Sequence, residues 1–139
     1  MNYLLDTCVL SESRKKRANP SVTAWLNSVD ENRLYVSVIV MAEIQQGISK
    51  LADSRQKREL QLWLDQALLP RFGERVLDIS KDVALLWGVV RGGFSKKGET
   101  LPVIDSLLGV TAIHHDLTVV TRNTADFERM PVELFNPWE

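Results

Sequence analysis

The side chains with the clearest chemical potential are oxygen ligands at corresponding points of the chain: Asp6, Glu43, Asp105 and Asn123. Carboxylates set among apolar residues are costly to bury unless their charge is neutralised. Carboxylates that converge also repel one another, which raises their pKa values. Mg²⁺ or Mn²⁺ would relieve both costs, because these cations prefer oxygen ligands. A cation held in this way orients a water molecule and stabilises charge while a phosphodiester is hydrolysed by in-line attack.

Each of these residues also has a simpler explanation. An acid in the first turn of a helix stabilises that helix through its dipole. Asp6 by itself suits the N-cap of the helix that follows it, and Asn123 suits the N-cap of a helical turn over residues 124–128. The spacing alone leaves the metal site and the capping roles both open.

Apolar runs and turn residues divide the chain into alternating strands and helices. The predicted strands cover residues 3–5, 34–38, 76–79, 117–121 and 132–135. The predicted helices cover residues 8–13, 20–29, 40–51, 54–69, 81–94 and 102–115, followed by a helical turn at 123–128. Pro70 is expected to end the fourth helix, because proline lacks a backbone N–H.

Strands that alternate with helices predict a mainly parallel sheet with helices on both faces. Ligands of such sheets bind beyond the carboxyl ends of the strands. Asp6 directly follows the first predicted strand and Asn123 the fourth, while Glu43 and Asp105 lie early in helices. The pattern therefore places the oxygen ligands at one edge of the sheet.

The composition is that of one globular domain covering residues 1–139, with 45% hydrophobic and 25% charged residues. The net charge is -1, whereas a protein that binds nucleic acid by charge alone is strongly basic. A single cysteine, Cys8, excludes an internal disulfide and a cysteine-rich zinc site. We expect a cytoplasmic protein without a membrane span, since no apolar run is long enough and no signal peptide is evident.

Other chemically suggestive residues have ordinary structural roles as their first explanation. His114 and His115 end a helix, where cationic or polar side chains are favoured by the dipole. Cys8 is expected to be a small buried residue rather than a nucleophile. The basic run at residues 14–17 is expected to be a solvated loop, although it lies close enough to Asp6 in sequence to meet phosphates.

With these residues in place, the sequence resembles the PIN-domain family of ribonucleases. Within that family it is most similar to toxins of bacterial toxin–antitoxin operons of the VapC type, in the FitB and plasmid-stability branch. The resemblance runs along the whole chain and rests on Leu4-Leu5-Asp6-Thr7 with Ser11-Glu12, Ser37-Val38-Ile39-Val40-Met41-Ala42-Glu43, Leu101-Pro102-Val103-Ile104-Asp105, Val120-Thr121-Arg122-Asn123 and Leu134-Phe135-Asn136-Pro137-Trp138.

The resemblance implies a Rossmann-like three-layer α/β/α sandwich with a central, mainly parallel sheet. It also implies endoribonuclease activity that depends on Mg²⁺ or Mn²⁺, and inhibition by a small DNA-binding antitoxin. The acidic quartet of the family maps onto Asp6, Glu43, Asp105 and Asn123. The first three are the expected catalytic residues, and all four are the expected metal ligands.

The fourth position is a departure, because many relatives have aspartate where this chain has Asn123. Asp126 lies three residues further on and could partly replace the missing charge. Thr7 and Thr121 match hydroxyl positions beside the metal site in many relatives, where they could orient ligands or water. For Thr121 the alternative is an ordinary β-branched strand residue.

Asn123 also keeps a second class of function open: a PIN-like module that binds RNA or antitoxin and has weakened catalysis. An aspartyl-phosphate protein based on Asp6 fits poorly. Cys8 stands where a phosphatase of that kind needs a second acid, and no acidic pair precedes Asp6 as a receiver domain requires.

Assembly is expected to follow the family. We predict a homodimer that buries apolar surface of the helices carrying Val22–Val29 and Val40–Leu51, with a dimer of dimers conceivable once antitoxin binds. An antitoxin segment is expected in a nearby groove, with a basic side chain directed into the acidic pocket. Trp25, Trp63 and Trp87 are expected to make core or dimer contacts rather than to stack on bases.

Overall fold

The computed structural model describes all residues, 1–139. Five strands form one sheet: β1 (Tyr3–Leu5), β2 (Leu34–Ser37), β3 (Val76–Leu77), β4 (Thr118–Val120) and β5 (Leu134–Phe135). Their order is β3-β2-β1-β4-β5, and every neighbouring pair is parallel. The predicted parallel sheet is confirmed, although four of the strands are shorter than the apolar runs that contain them.

Seven α-helices connect and flank the strands: α1 (Thr7–Arg14), α2 (Pro20–Ser28), α3 (Val38–Ser49), α4 (Arg55–Leu62), α5 (Leu69–Phe72), α6 (Lys81–Lys96) and α7 (Val103–His115). Local capping explains where several of them begin. The Asn19 side chain accepts hydrogen bonds from the N–H groups of Ser21 and Val22 at the start of α2. Ser80 accepts one from the N–H of Val83 at the start of α6.

The expectation that Pro70 ends a helix is wrong. After α4 the chain makes a π-helical turn, Trp63–Leu68, and continues directly into α5. The N–H of Leu69 bonds to the carbonyl of Leu64, five residues earlier. Pro70 therefore lies within a helix that continues through the π-helical turn, and does not end it. The helix ends at Phe72, before Gly73 with its φ of 51°.

The core explains the three layers. Successive strand residues point to opposite faces of a sheet, and both Leu4 and Leu5 of β1 are fully buried, as are Val119 and Val120 of β4. Helices must therefore cover both faces, which confirms the predicted α/β/α sandwich. No helix has the length and hydropathy needed to cross a membrane.

The apolar surface is not where the sequence placed it. The faces of α2 and α3 that were expected to remain exposed are covered within the chain: Val22 and Val40 are completely buried, and Ile48 is nearly so. The exposed large hydrophobic residues of the second half of the chain are Leu85, Val89, Val103 and Ile104, on α6 and the start of α7. Trp25, Leu26 and Val29 stay half-buried, and the surface that the dimer uses stays a prediction, because an apolar helix stripe has the same pattern whether its own sheet or another chain covers it.

Candidate active site at the carboxyl edge of the sheet

Asp6 links two neighbouring strands and starts a helix. It leaves β1 beside β4, and its N–H donates to the carbonyl of Val120 at 3.0 Å. One carboxylate oxygen, Oδ1, accepts the N–H of Thr7 at 2.8 Å and caps α1. The other, Oδ2, accepts the hydroxyl of Thr121 at 2.8 Å. Asp6 therefore does cap α1, but only Oδ1 takes part in the cap.

Thr121 does more than fill a strand position. Its side chain is completely buried, and its hydroxyl donates to Asp6 while accepting the backbone N–H of Asn123 at 3.0 Å. Thr121 thus joins the end of β1 to the loop after β4. This is a supporting contact of the kind predicted for it.

Glu43 is held by the second threonine of the site. The hydroxyl of Thr7 donates to Oε1 of Glu43 at 2.9 Å, between residues 36 positions apart in sequence. Burial raises the pKa of Glu43 above its ordinary value. The hydrogen bond from Thr7 acts in the opposite direction, and the charge of Asp6 adds to the increase. Glu43 and Asp6 therefore share one electrostatic environment.

Asp105 faces the same space from α7. Its half-buried side chain makes no hydrogen bond, in contrast to Asp6 and Glu43. Burial raises the pKa of Asp105, and the charges of Asp126, Asp6 and Glu43 raise it further. The expected repulsion among converging carboxylates is present, and it includes Asp126.

Asn123 does not act as a side-chain cap. The turn at Thr124–Asp126 has no side-chain capping hydrogen bond, and only the backbone carbonyl of Asn123 accepts the N–H of Asp126, at 3.1 Å. The predicted N-cap role is therefore wrong. The amide of Asn123 is exposed to solvent and is free to act as a ligand.

The donor set suits a hard cation in its chemistry, since the charges of Asp6, Glu43 and Asp126 all act on Asp105, and Asn123 follows the threonine that holds Asp6. In this conformation no three Asp, Glu, His or Cys side chains are arranged to hold one metal ion. Burial and neighbouring carboxylates raise the pKa values of Glu43 and Asp105, and a divalent cation would relieve the repulsion among these charges. The metal site remains a prediction with compatible residues.

Residues 3–133 match the model of the PIN domain. The chain belongs to the PIN-domain family. It is 36% identical to Toxin FitB of Neisseria gonorrhoeae over 135 residues, which is 97% of each chain. It is 30% identical to Ribonuclease VapC2 of Rickettsia felis over 139 residues, covering 100% of this chain and 99% of the relative.

Solved structures agree with the family assignment. A crystal structure of FitAcB from Neisseria gonorrhoeae superposes with a TM-score of 0.90 at 36% identity, covering 99% of both chains. A crystal structure of VapBC2 from Rickettsia felis, bound to a DNA fragment from their promoter, superposes with a TM-score of 0.79 at 30% identity over 98% of both chains. The resemblance stated from the sequence is confirmed.

Cys8, His114 and His115 of this PIN domain have surroundings that suit structural roles. Cys8 is half-buried, and its Sγ lies 3.7 Å from the hydroxyl of Thr121 and 4.0 Å from Oδ2 of Asp6. Burial raises the pKa of its thiol, which agrees with a structural role. The two histidines end α7, whereas Asp105 lies in its first turn, so they stand at the opposite end of that helix.

Glu12 is a buried carboxylate whose role its sequence neighbours do not predict. It accepts the N–H of Asn19 at 3.0 Å and pairs with the ammonium of Lys15 at 3.1 Å. The N–H of Asn19 and the hydrogen bond from Lys15 hold the pKa of Glu12 below its ordinary value. Glu12 thereby fastens the basic loop that follows α1. The available signal was an acid within the otherwise apolar buried face of α1.

Proposed function

We propose that this protein is the toxin of a type II toxin–antitoxin module and that it is an endoribonuclease dependent on Mg²⁺ or Mn²⁺. The observation that carries the proposal is the convergence of three carboxylates at the carboxyl edge of the sheet, where the charge of Asp6 acts on Glu43 and the charges of both act on Asp105. The relatives named as toxin and ribonuclease support it. Such a toxin would act in the cytoplasm.

Asp6, Glu43, Asp105 and Asn123 would hold the cation, with Asp126 close enough to contribute charge. When bound, a divalent cation supplies neutralising charge for the scissile phosphate and orients the attacking water. Thr121 and Thr7 keep the carboxylates of Asp6 and Glu43 in fixed orientations. These hydroxyls act as supporting residues, in the way that outer contacts orient metal ligands.

The proposed reaction is hydrolysis without a covalent enzyme intermediate. The water oxygen forms a bond to phosphorus, and the bond from phosphorus to the 3′ oxygen breaks. The attacking water gives up one proton and the leaving 3′ oxygen takes up one, so the products are a 5′-phosphate and a 3′-hydroxyl. In-line attack of this type requires the water and the leaving oxygen on opposite sides of the phosphorus.

The test is RNA cleavage by purified protein with Mg²⁺, with Mn²⁺ and with a chelator, using structured RNA and mapping of the product ends. Metal-dependent products carrying 5′-phosphates are expected from the wild type, and none from Asp105→Asn. RNA binding without cleavage by the wild type would instead favour the catalytically weakened binding module.

We propose that the antitoxin binds in a groove beside the acidic residues. It has a volume of about 230 Å³, and its lining residues are Thr7, Ser11, Glu43, Ile44, Gly47, Ile48, Leu60 and Trp63. A second hollow shares Ser11, Leu60 and Trp63 with it and opens onto Arg14 and Lys15. Trp63 therefore lines a surface groove, with Arg14 over its ring at 5.4 Å, rather than lying wholly in the core.

An antitoxin segment with apolar side chains on the groove could place a basic side chain among the carboxylates. An arginine there would offer paired N–H donors to carboxylate oxygens. Asp105→Ala should therefore weaken antitoxin binding, measured by titration calorimetry with the purified partner. Unchanged affinity for Asp105→Ala would count against a basic side chain in the pocket.

We also propose a homodimer, now assigned to the exposed apolar residues Leu85 and Val89 of α6 and Val103 and Ile104 of α7. Exposed apolar patches of this kind mark contact surfaces, and two-fold dimers are the commonest assembly. Light scattering should give a dimer for the wild type and a monomer for Val89→Glu. Lys81→Gln, at the exposed start of α6, lowers the net charge by the same one unit and is the charge-matched control. A wild-type monomer at high micromolar concentration would refute the dimer, and antitoxin could further join two dimers.

A further inference from the structure

The start of α7 is held by its neighbour α6 rather than by a cap of its own. Pro102 occupies the N-cap position and supplies no side-chain hydrogen bond. Helix starts that lack such a cap leave N–H groups without intrahelical partners and lose stability. Asp105 lies in this first turn. Whatever fixes the turn therefore also fixes where the carboxylate of Asp105 points.

Trp87 of α6 makes the first contact with this turn. Its indole N–H donates to the hydroxyl of Ser106 at 2.9 Å. Ser106 is completely buried, and its hydroxyl donates back to the carbonyl of Pro102. One hydroxyl thus connects α6, the residue after Asp105 and the first residue of the turn. Buried polar groups that are fully hydrogen-bonded in this way are costly to disrupt.

Arg91 makes the second contact, one helical turn further along α6. Its Nη2 donates to the carbonyl of Leu101 at 2.9 Å, and its guanidinium lies 4.9 Å from the centre of the Trp87 ring. Leu101 itself is buried. Arg91 therefore holds the backbone before Asp105, and Trp87 holds the side chain of Ser106 directly after it. The side chains of Trp87 and Arg91 also pack against each other.

This arrangement matters for Asp105 because its carboxylate has no hydrogen bond of its own. Asp6 and Glu43 each accept a threonine hydroxyl, so their orientation is set at the carboxylate. The orientation of Asp105 must be set through the backbone of the helix that carries it.

We infer that Trp87 and Ser106 are positioning residues that aim Asp105 into the metal site, with Arg91 supporting them. The inference rests on the proposed function, since it assigns these residues to the same site. Removal of the Trp87–Ser106 hydrogen bond should leave the fold in place while the first turn of α7 loses its fixed position. Loss of such supporting contacts costs about 10- to 100-fold in metal affinity.

The experiment is calorimetric titration of Mn²⁺ into the purified full-length protein, comparing Ser106→Ala, Trp87→Phe and the double variant with the wild type. Each single variant should bind Mn²⁺ about 10- to 100-fold more weakly. The double variant should lose no more than the more affected single variant, because both changes break one hydrogen bond. Fully additive losses, or wild-type affinity in both single variants, would overturn the inference.

Two matched controls separate positioning from general loss of packing. Thr111→Val removes a buried hydroxyl of α7 that donates only to the carbonyl of Leu107 within the helix. Trp25→Phe trims a half-buried tryptophan that packs on Tyr3 and Phe135. Both controls should keep wild-type Mn²⁺ affinity. If they weaken binding as much as Ser106→Ala does, the role of Ser106 is merely structural and the inference fails.

Circular dichroism of each variant establishes that the metal titration is made on folded protein. Should Trp87→Phe not fold, Ser106→Ala alone decides the question, because it removes one oxygen atom and leaves both helices intact. A wild type that binds no Mn²⁺ would refute the proposed function itself. If instead the wild type binds Mn²⁺ and the variants bind it equally well, only the positioning role of Trp87 and Ser106 is refuted.

Discussion

The two halves of the candidate site are organised by different means. On one side, Asp6 and Glu43 each have a carboxylate oxygen fixed by a threonine hydroxyl, at 2.8 Å and 2.9 Å. On the other side, the side chains of Asp105 and Asn123 make no hydrogen bond. In the first half, hydrogen bonds fix the carboxylates themselves. In the second half, only the backbone that carries the side chains is fixed.

This difference has a physical consequence for metal binding. A carboxylate that is already oriented loses little freedom when it becomes a ligand, and its remaining lone pairs stay available. Free side chains must be ordered during binding, which costs conformational entropy. The half containing Asp105 and Asn123 can therefore adjust to metal and substrate, whereas the half containing Asp6 and Glu43 defines where they bind.

The largest expected effect comes from substitution of Asp6, the carboxylate that both threonines adjoin. Asp6→Asn removes the charge of the carboxylate that contacts both Thr7 and Thr121. A ligand of a catalytic cation contributes to stabilisation worth several kcal/mol, so cleavage should fall by roughly a thousandfold or more. Initial rates on a fluorescent RNA check this, and circular dichroism should show an unchanged fold. Undiminished cleavage by a clean Asp6→Asn preparation would refute the assignment.

Removal of one threonine hydroxyl should leave the carboxylate of Asp6 as loosely held as that of Asp105. Thr121→Val leaves Asp6 without its partner at Oδ2, and we expect activity at limiting Mn²⁺ to fall by about 10- to 100-fold. Thr118→Val in the adjoining strand β4 is the matched control, since that hydroxyl faces Glu133 at 3.5 Å. Equal losses in both variants would show that the effect is one of strand packing.

A negative charge added beside Asp105, at Asn123, should strengthen metal binding. Two unit charges ~4 Å apart interact by about 4 kcal/mol at an effective dielectric of ~20, and solvent at the exposed Asn123 reduces that figure. Asn123→Asp should therefore tighten Mn²⁺ binding by about tenfold or less. Asp126→Ala should weaken binding, but by less than loss of Asp6 or Asp105. Calorimetric titrations compare these variants, and unchanged affinity in Asn123→Asp would remove Asn123 from the site.

The smallest expected effect concerns stability without metal. The pKa of Asp105 is raised in the folded protein, by burial and by its acidic neighbours, so folding favours its protonated form. Its contribution to stability is present below the unfolded pKa and is lost as pH rises through the folded pKa. Metal-free Asp105→Asn should therefore melt slightly above the wild type at pH 7, and this advantage should shrink at pH 4. Thermal melts in chelator test this, and a lower Tm for the variant at pH 7 would contradict it.

Local sequence patterns determined the parallel sheet and the position of Asp6 and Asn123 after their strands. Apolar runs, caps such as Asn19 and Ser80, and turn residues are encoded by neighbours in sequence, and the structure places them as predicted. The family resemblance added the threonines. It could not say how they act, because the contact between Thr121 and Asp6 joins residues 115 positions apart.

Tertiary structure alone decided how each part of the site is held. The register of Leu5 beside Val120 is what brings Thr121 to Asp6, and the packing of α6 on α7 is what brings Trp87 to Ser106. It also decided that Pro70 follows a π-helical turn and that Leu85, Val89, Val103 and Ile104 of α6 and α7 are exposed. Sequence periodicity reports which face of an element is apolar. The partner of that face depends on contacts between distant residues, whose geometry only the folded chain defines.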